Sequence, residues 1–196
     1  MKTFRMIASF SLIIMLIGVH QAVLSQKAVS LIPNQSTITI KGTSNLHDWE
    51  ENVNKFQVNL NLKFSEKEIA GIDKVQVILE SSSIESDNNI MTNKTHDALN
   101  VDKFPQIDFK LVSVDNLSSE NGRFSGTLVG DVTLAGVTKR ISLAFSGQHS
   151  GNKITIKGSK ELNMNDFKIK PPTAMMGALK TGEAVTITFQ LNFQVT

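Results

Sequence analysis

The chain has no cysteine, no tyrosine, one tryptophan and four prolines in 196 residues. Without cysteine there are no disulfides, no thiolate metal sites, no cysteine nucleophile and no lipidated N-terminal cysteine, so packing alone must hold the fold together. The shortage of Tyr and Trp argues against a membrane-spanning barrel, which carries aromatic girdles at both interfaces. Excess charge is also missing. The full chain has 20 Lys and Arg against 18 Asp and Glu, and setting aside Lys2 and Arg5 leaves 18 of each. No basic surplus then remains to attract nucleic acid or an anionic membrane surface.

Long apolar runs are absent except at the start. Lys2 and Arg5 precede the run from Ile7 to Val19, and Val23, Leu24 and Ser25 follow. This is the three-part pattern of a secretory leader, with cleavage expected after Ser25. The run is short of the roughly 20 apolar residues that a spanning helix needs. Residues 1–25 are therefore expected to be a signal peptide, and residues 26–196 one exported, soluble domain. About 170 residues suffice for a single core. Three Asn-x-Ser/Thr triplets begin at Asn34, Asn93 and Asn116, a pattern short enough to arise by chance.

What the chain does have is alternation. From Glu183 to the C-terminus, Val185, Ile187, Phe189, Leu191, Phe193 and Val195 share one parity, while Thr186, Thr188, Gln190, Asn192 and Gln194 share the other. Successive strand side chains point to opposite faces, so such a strand buries one wall and wets the other. Phe56, Val58, Leu60, Leu62 and Phe64 repeat the pattern, as do Phe124, Leu128, Val132 and Leu134. Further strands are expected at 37–42, 73–81, from Ile107, at 140–146 and around Ile154 and Ile156, with a hairpin turn at Ala135-Gly136-Val137-Thr138. Ser86 or Asp87 can cap a helix over 90–100 that places Met91, Thr95, Ala98 and Leu99 on one side. Pro105 bars that helix from continuing.

About eight antiparallel strands result, with one helix inserted after the third. Strands this long, apolar on one face, close into a barrel, although a two-layer sandwich has the same alternation. The inward set includes Phe56, Val58, Leu60, Leu62, Val75, Val77, Ile107, Phe109, Phe124, Leu128, Phe145, Val185, Ile187 and Phe189. Gly126 and Gly130 share the parity of Phe124 and Leu128, and Gly42, Gly147 and Gly158 are placed alike. Such glycines either let strands coil or leave volume for a ligand.

Catalytic signals are weak. His47 and Asp48, near Ser44 and Glu50, are adjacent on an extended segment and point apart, so they cannot form an aligned pair. No Gly-x-Ser-x-Gly elbow occurs, and His47, His96 and His149 fall on separate elements, His149 in a hairpin turn. Neither an enzyme nor a metal site is expected. Trp49 is expected to pack at one end of the barrel. Lys139 and Arg140 read as a solvated turn, with a head-group contact as the alternative.

A set of short motifs resembles the YceI-like family from about Ser36 onward. It comprises Ser83-Ile84, Leu99, Phe104-Pro105-Gln106-Ile107-Asp108-Phe109, Gly126-Thr127-Leu128, Leu134-Ala135-Gly136-Val137-Thr138 and Phe167, in the family's order. The stretch from Gly42 to Trp49 is similar to one branch of that family. The resemblance implies an eight-stranded lipocalin-like barrel, exported to the periplasm or beyond, whose interior takes a polyisoprenoid, an isoprenoid quinone or a fatty-acid-like chain. No other cofactor is implied. The residues then expected to contact such a chain are Phe56, Leu60, Val77, Leu99, Phe104, Phe109, Phe124, Gly126, Leu128, Gly130, Phe145, Met164, Phe167, Met175, Met176, Ile187 and Phe189. Apart from Phe167, the insert 165–182 has no assigned family motif, and its role is open. The alternative is a structural or interaction barrel filled by its own side chains, and the volume of its interior separates the two.

Overall fold

Alternating runs pair through turns that the sequence builds for the purpose. At Asn121-Gly122 and Ala135-Gly136 both central residues have φ between +48° and +76°, the left-handed pair of a two-residue hairpin. The computed structural model describes residues 24–195, apart from the side chains of Ala174 and Met175. Its strands are β1 (Leu24–Leu31), β2 (Thr37–Ser44), β3 (Trp49–Val53), β4 (Phe56–Ser65), β5 (Glu68–Glu80), β6 (Ile84–Glu85), β7 (Gln106–Glu120), β8 (Arg123–Leu134), β9 (Val137–Ser150), β10 (Lys153–Asn163), β11 (Thr173–Ala174) and β12 (Leu179–Val195). The helix α1 (Asn89–Leu99) follows β6.

The pairing closes on itself in the order β1-β4-β5-β7-β8-β9-β10-β12, and β12 returns to β1 through Val29↔Val195 and Leu31↔Phe193. This is the expected eight-stranded antiparallel barrel. Its first three staves are bent. Along the other half of β12, β2 takes the place of β1, with Gly42 opposite Val185 and Thr37 opposite Gln190. β3 then pairs with β2, and β6 with β3. Each stave is thus two strands in line, β1 with β2, β3 with β4, and β5 with β6, and α1 follows the third.

Backbone groups freed at the bends find buried serines. The Ser36 hydroxyl donates to Ile32 O at 2.9 Å and accepts from Asn192 N at 2.9 Å. Ser83 Oγ donates to Glu80 O at 2.7 Å and accepts from Lys55 N at 3.0 Å, and Ser81 Oγ donates to Phe104 O at 2.8 Å. A buried peptide group without a partner costs about as much as a lost hydrogen bond, so these hydroxyls stabilise the bends.

The inward register is as expected. Leu60, Leu62, Val75, Phe124, Leu128 and Phe145 are buried, with Phe56, Val58, Val77, Ile107, Phe109, Ile187 and Phe189 packed against them. Several details differ from expectation, β3 and β6 among them, which the alternation did not mark. The N-cap is Asn88, whose Oδ1 accepts from Ile90 N and Met91 N, because the Ser86 hydroxyl accepts from Asn88 N and the turn begins later. His149 lies within β9, which runs past Ser146 because Gly147 and Gln148 continue its ladder with β8. β1 was not foreseen, and Leu24 and Ser25 add rungs to it opposite Ser65 and Phe64. The rest of the expected leader lies outside the described residues.

Candidate functional site

One end of the barrel is solid. Leu62, Phe64 and Ile154 are each 0 % exposed and Phe193 is 1 %, with Ile69 and Phe124 completing the plug. Above this floor the lumen opens into a cavity of about 380 Å³, within the roughly 300 to 1,000 Å³ usual for small-molecule pockets. Its floor includes Leu60, Ile72, Phe145, Ile156, Leu191 and Phe193, and its upper wall includes Leu134, Ile141, Leu162 and Val185. A larger hollow of about 820 Å³ lies at the bends of the staves and is lined largely by polar side chains such as Asn52, Asn54, Gln57 and Gln106. Only the first is a predominantly apolar chamber.

Three segments frame the mouth. α1 turns Met91, Thr95, Ala98 and Leu99 toward the cavity, the side its spacing indicated. The β2–β3 turn contributes Ser44, His47 and Trp49, and the strap between β10 and β12 contributes Ile169, Pro172, Thr173 and Leu179. Asn45 ties turn to strap. Its Nδ2 donates to Ala178 O at 2.9 Å and its Oδ1 accepts from Lys180 N at 2.9 Å.

Of the residues expected to contact a ligand, Leu60, Val77, Leu99, Phe109, Leu128 and Phe145 line the cavity, together with Met164, Ile187 and Phe189. Phe56 and Phe124 belong to the core without reaching the cavity wall. Phe167 packs under the strap with Val132, Met164 and Ile169. Phe104 lies over Gly136. Met176 is fully exposed, and the side chain of Met175 lies outside the described residues.

The glycines correct one expectation. Gly126 and Gly130 do not leave free volume, because a Cβ at Gly130 would meet the Phe109 ring and Lys110 O at 2.7 Å, and one at Gly126 would meet Phe145 at 3.1 Å. Trp49 covers Gly42 and Phe189 covers Gly158 in the same way. All four rings line the cavity. Each rests over a glycine of another strand, so the missing side chains seat rings against the wall and the lumen stays open.

Polar groups around the site are mostly committed. Ser44 Oγ donates to His47 O at 2.7 Å and accepts from the Leu46 and His47 N–H groups, which makes it a turn residue. His47 Nδ1 donates to Asp48 O at 2.8 Å, and Glu50 pairs outward with Lys41 at 2.8 Å. Trp49 Nε1 donates to Thr43 O at 3.0 Å. Arg140 forks onto Asp131 at 2.8 and 2.9 Å, which holds the Asp131 carboxyl below its usual range. Among the described residues no cluster of three His, Cys, Asp or Glu side chains could hold a metal.

Several cavity residues escaped the sequence reading, among them Lys94, Lys160, Ile169 and Glu51. Glu51, 1 % exposed, lines the chamber, and its Oε1 accepts from Thr95 Oγ1 at 2.8 Å. Burial pushes its carboxyl up, while the Thr95 hydrogen bond and His96 pull it back. The signal was present in parity, since Trp49, Glu51 and Val53 share the inward face of β3.

A family model for the YceI-like domain matches residues 30–193. Among curated proteins, a UPF0312 protein of Pseudomonas savastanoi is 33% identical over 110 residues, 50% of this chain and 54% of that protein. A UPF0312 protein of Pseudomonas putida is 31% identical over 112 residues, 52% of this chain and 55% of that one. The chain thus spans about half the length of the curated relatives it matches. Among solved structures, Burkholderia cenocepacia BcnA superposes with a TM-score of 0.68 at 14% identity, covering 83% of this chain and 99% of that one. A polyisoprenoid binding domain from Saccharophagus degradans, implicated in plant cell wall breakdown, gives 0.65 at 12% identity, covering 87% and 99%. At these identities the likeness to the solved structures is one of fold.

Proposed function

This chain belongs to the YceI-like family, and from that premise we propose that it is an exported carrier that holds a long apolar molecule inside the barrel for storage or transport. The observation that carries this reading is the chamber of about 380 Å³, apolar on nearly every side, above a solid floor and beneath a mouth framed by α1, the β2–β3 turn and the strap. A barrel filled by its own side chains has no such chamber. The cargo is a polyisoprenoid, an isoprenoid quinone or a fatty-acid-like chain, and the protein binds it without chemical change. The Saccharophagus domain, described as polyisoprenoid binding, shares the fold and supports the choice. Export rests on the leader pattern of residues 1–25, and no helix among the described residues is long and apolar enough to cross a membrane.

The test is mass spectrometry of an organic extract of the purified protein, paired with thermal melts against isoprenoid and acyl chains of graded length. A bound chain stabilises the folded state by about 2.7 kcal/mol at a hundredfold excess over Kd. An empty extract together with unshifted melts at every length overturns the carrier reading.

A further inference from the structure

The inner wall carries a carboxyl group where the alternation of β3 calls for an apolar side chain. Glu51 stands between Trp49 and Val53 on the inward parity, opposite Ile40 of β2. One of its oxygens, Oε1, is taken by Thr95 of α1. The other, Oε2, has no partner among the described residues, and no side-chain oxygen or nitrogen sealed within them lacks one. Oε2 therefore faces open space, and for a residue that is 1 % exposed and lines the chamber, that space is the cavity. A tether for α1 would need only one acceptor.

An unpaired polar atom against an apolar ligand loses its hydrogen bonds to water and gains nothing, so the cavity favours a ligand that supplies a partner there. Other charged groups reach the same chamber. Lys160 lies on the same row of rungs, through Ile40↔Ile187 and Ile187↔Lys160, and Lys94 lies at the mouth. An anionic head group would be drawn to these lysines and would leave Oε2 unpaired. A hydroxyl can donate to an ionised carboxyl and accept from a neutral one, so it satisfies Glu51 in either state. Resting on the carrier reading, we infer that Glu51 is the polar anchor of the cavity and selects long-chain ligands bearing a neutral hydroxyl, which it holds through Oε2.

The experiment compares dodecanol, its methyl ether and dodecanoate by displacement of a fluorescent probe from the whole protein at neutral pH. Wild type is expected to bind the alcohol about tenfold more tightly than the ether, the discrimination that one hydrogen bond supplies, and more tightly than dodecanoate. Glu51→Leu is expected to bind alcohol and ether alike. Glu51→Gln, which keeps the shape of the side chain and carries no charge, is expected to bind dodecanoate no less tightly than wild type does. Equal binding of all three chains by wild type, or a preference for dodecanoate, overturns the inference and leaves the carrier reading standing. A purely structural Glu51 would change the melting temperature in both variants but leave the alcohol-to-ether ratio at its wild-type value, which also overturns it. If wild type binds none of the three, the inference fails, and the graded-length melts decide the carrier reading separately.

Discussion

The two ends of this barrel share β8, β9, β10 and β12 and the same inward parity, yet one is solid and the other hollow. At the solid end the ring runs β12-β1-β4-β5, and Leu62, Phe64, Ile154 and Phe193 meet across it. At the hollow end the wall beside β12 is β2-β3-β6, and β6 is the last strand in that direction. α1 follows β6 and packs against it, with Met91, Thr95, Ala98 and Leu99 turned toward the cavity. Space inside a barrel therefore follows from where the staves bend and where the large rings lie. Rings rest over glycines at both ends, Trp49, Phe109, Phe145 and Phe189 around the cavity and Phe124 over Gly147 in the plug, so it is the position of each ring that differs.

The sharpest break of this contrast is Phe64→Ala. It should cost about 3–5 kcal/mol in denaturant unfolding, as expected for a large ring lost from a packed site. Ile141→Ala on the cavity wall should sit at the low end, about 2 kcal/mol, because part of its surface already faces open space. Equal losses would mean that the ends do not differ.

Next in size is a pair of glycines. A Cβ at Gly147 would meet the ring of Phe124, which is 3 % exposed, whereas one at Gly42 would meet Trp49 at the mouth. Gly147→Ala should cost about 1–3 kcal/mol by overpacking, and Gly42→Ala clearly less, because Trp49 has space to move into. Paired thermal melts decide it.

Ala98→Leu adds volume from α1 into the chamber. Its stability should change by less than the 1–3 kcal/mol typical of overpacking, while uptake of a long-chain ligand falls, read by displacement titration. A large loss of stability would show that this end is packed as well.

The finest test uses pH. Glu51 has a folded-state pKa above its unfolded value, so its contribution is fully present below the unfolded pKa and is lost as pH rises through the folded one. Glu51→Gln does not titrate. Its stability relative to wild type should therefore grow with rising pH and vanish in acid, as measured by urea unfolding across the range. A gap that is flat with pH would place Glu51 in a more polar setting than the cavity provides.

The wall of the site was legible where one rule covered many residues. β4, β8 and β12 alternate for ten residues or more, and their register could be read directly; the Thr186, Thr188 and Gln190 face stays off the cavity wall. The lining face of α1 was equally plain in the spacing of Met91, Thr95, Ala98 and Leu99. β3 was hidden because Glu51 interrupts the apolar parity of a strand of only five residues. β1 was hidden because LSQKAVSL overlaps the expected leader and most of its side chains are exposed. The bends depend on Ser36, Ser81 and Ser83 meeting backbone groups far away in sequence, and the seating of rings over glycines depends on which strands adjoin. Neither is local information.

β12 is the keystone of the wall, since it pairs with β10 on one edge and with both β1 and β2 on the other. Two of those partners lie near the opposite end of the chain, as in Leu31↔Phe193. Loop closure over such a separation carries a large entropy cost before any rung repays it, which makes ring closure a late and slow step. Until residues 179–195 are available, β1, β2 and β10 have unpaired edges. A nascent chain lacking them therefore remains an open, pliable sheet, and a truncation before β12 would leave exposed strand edges that invite aggregation.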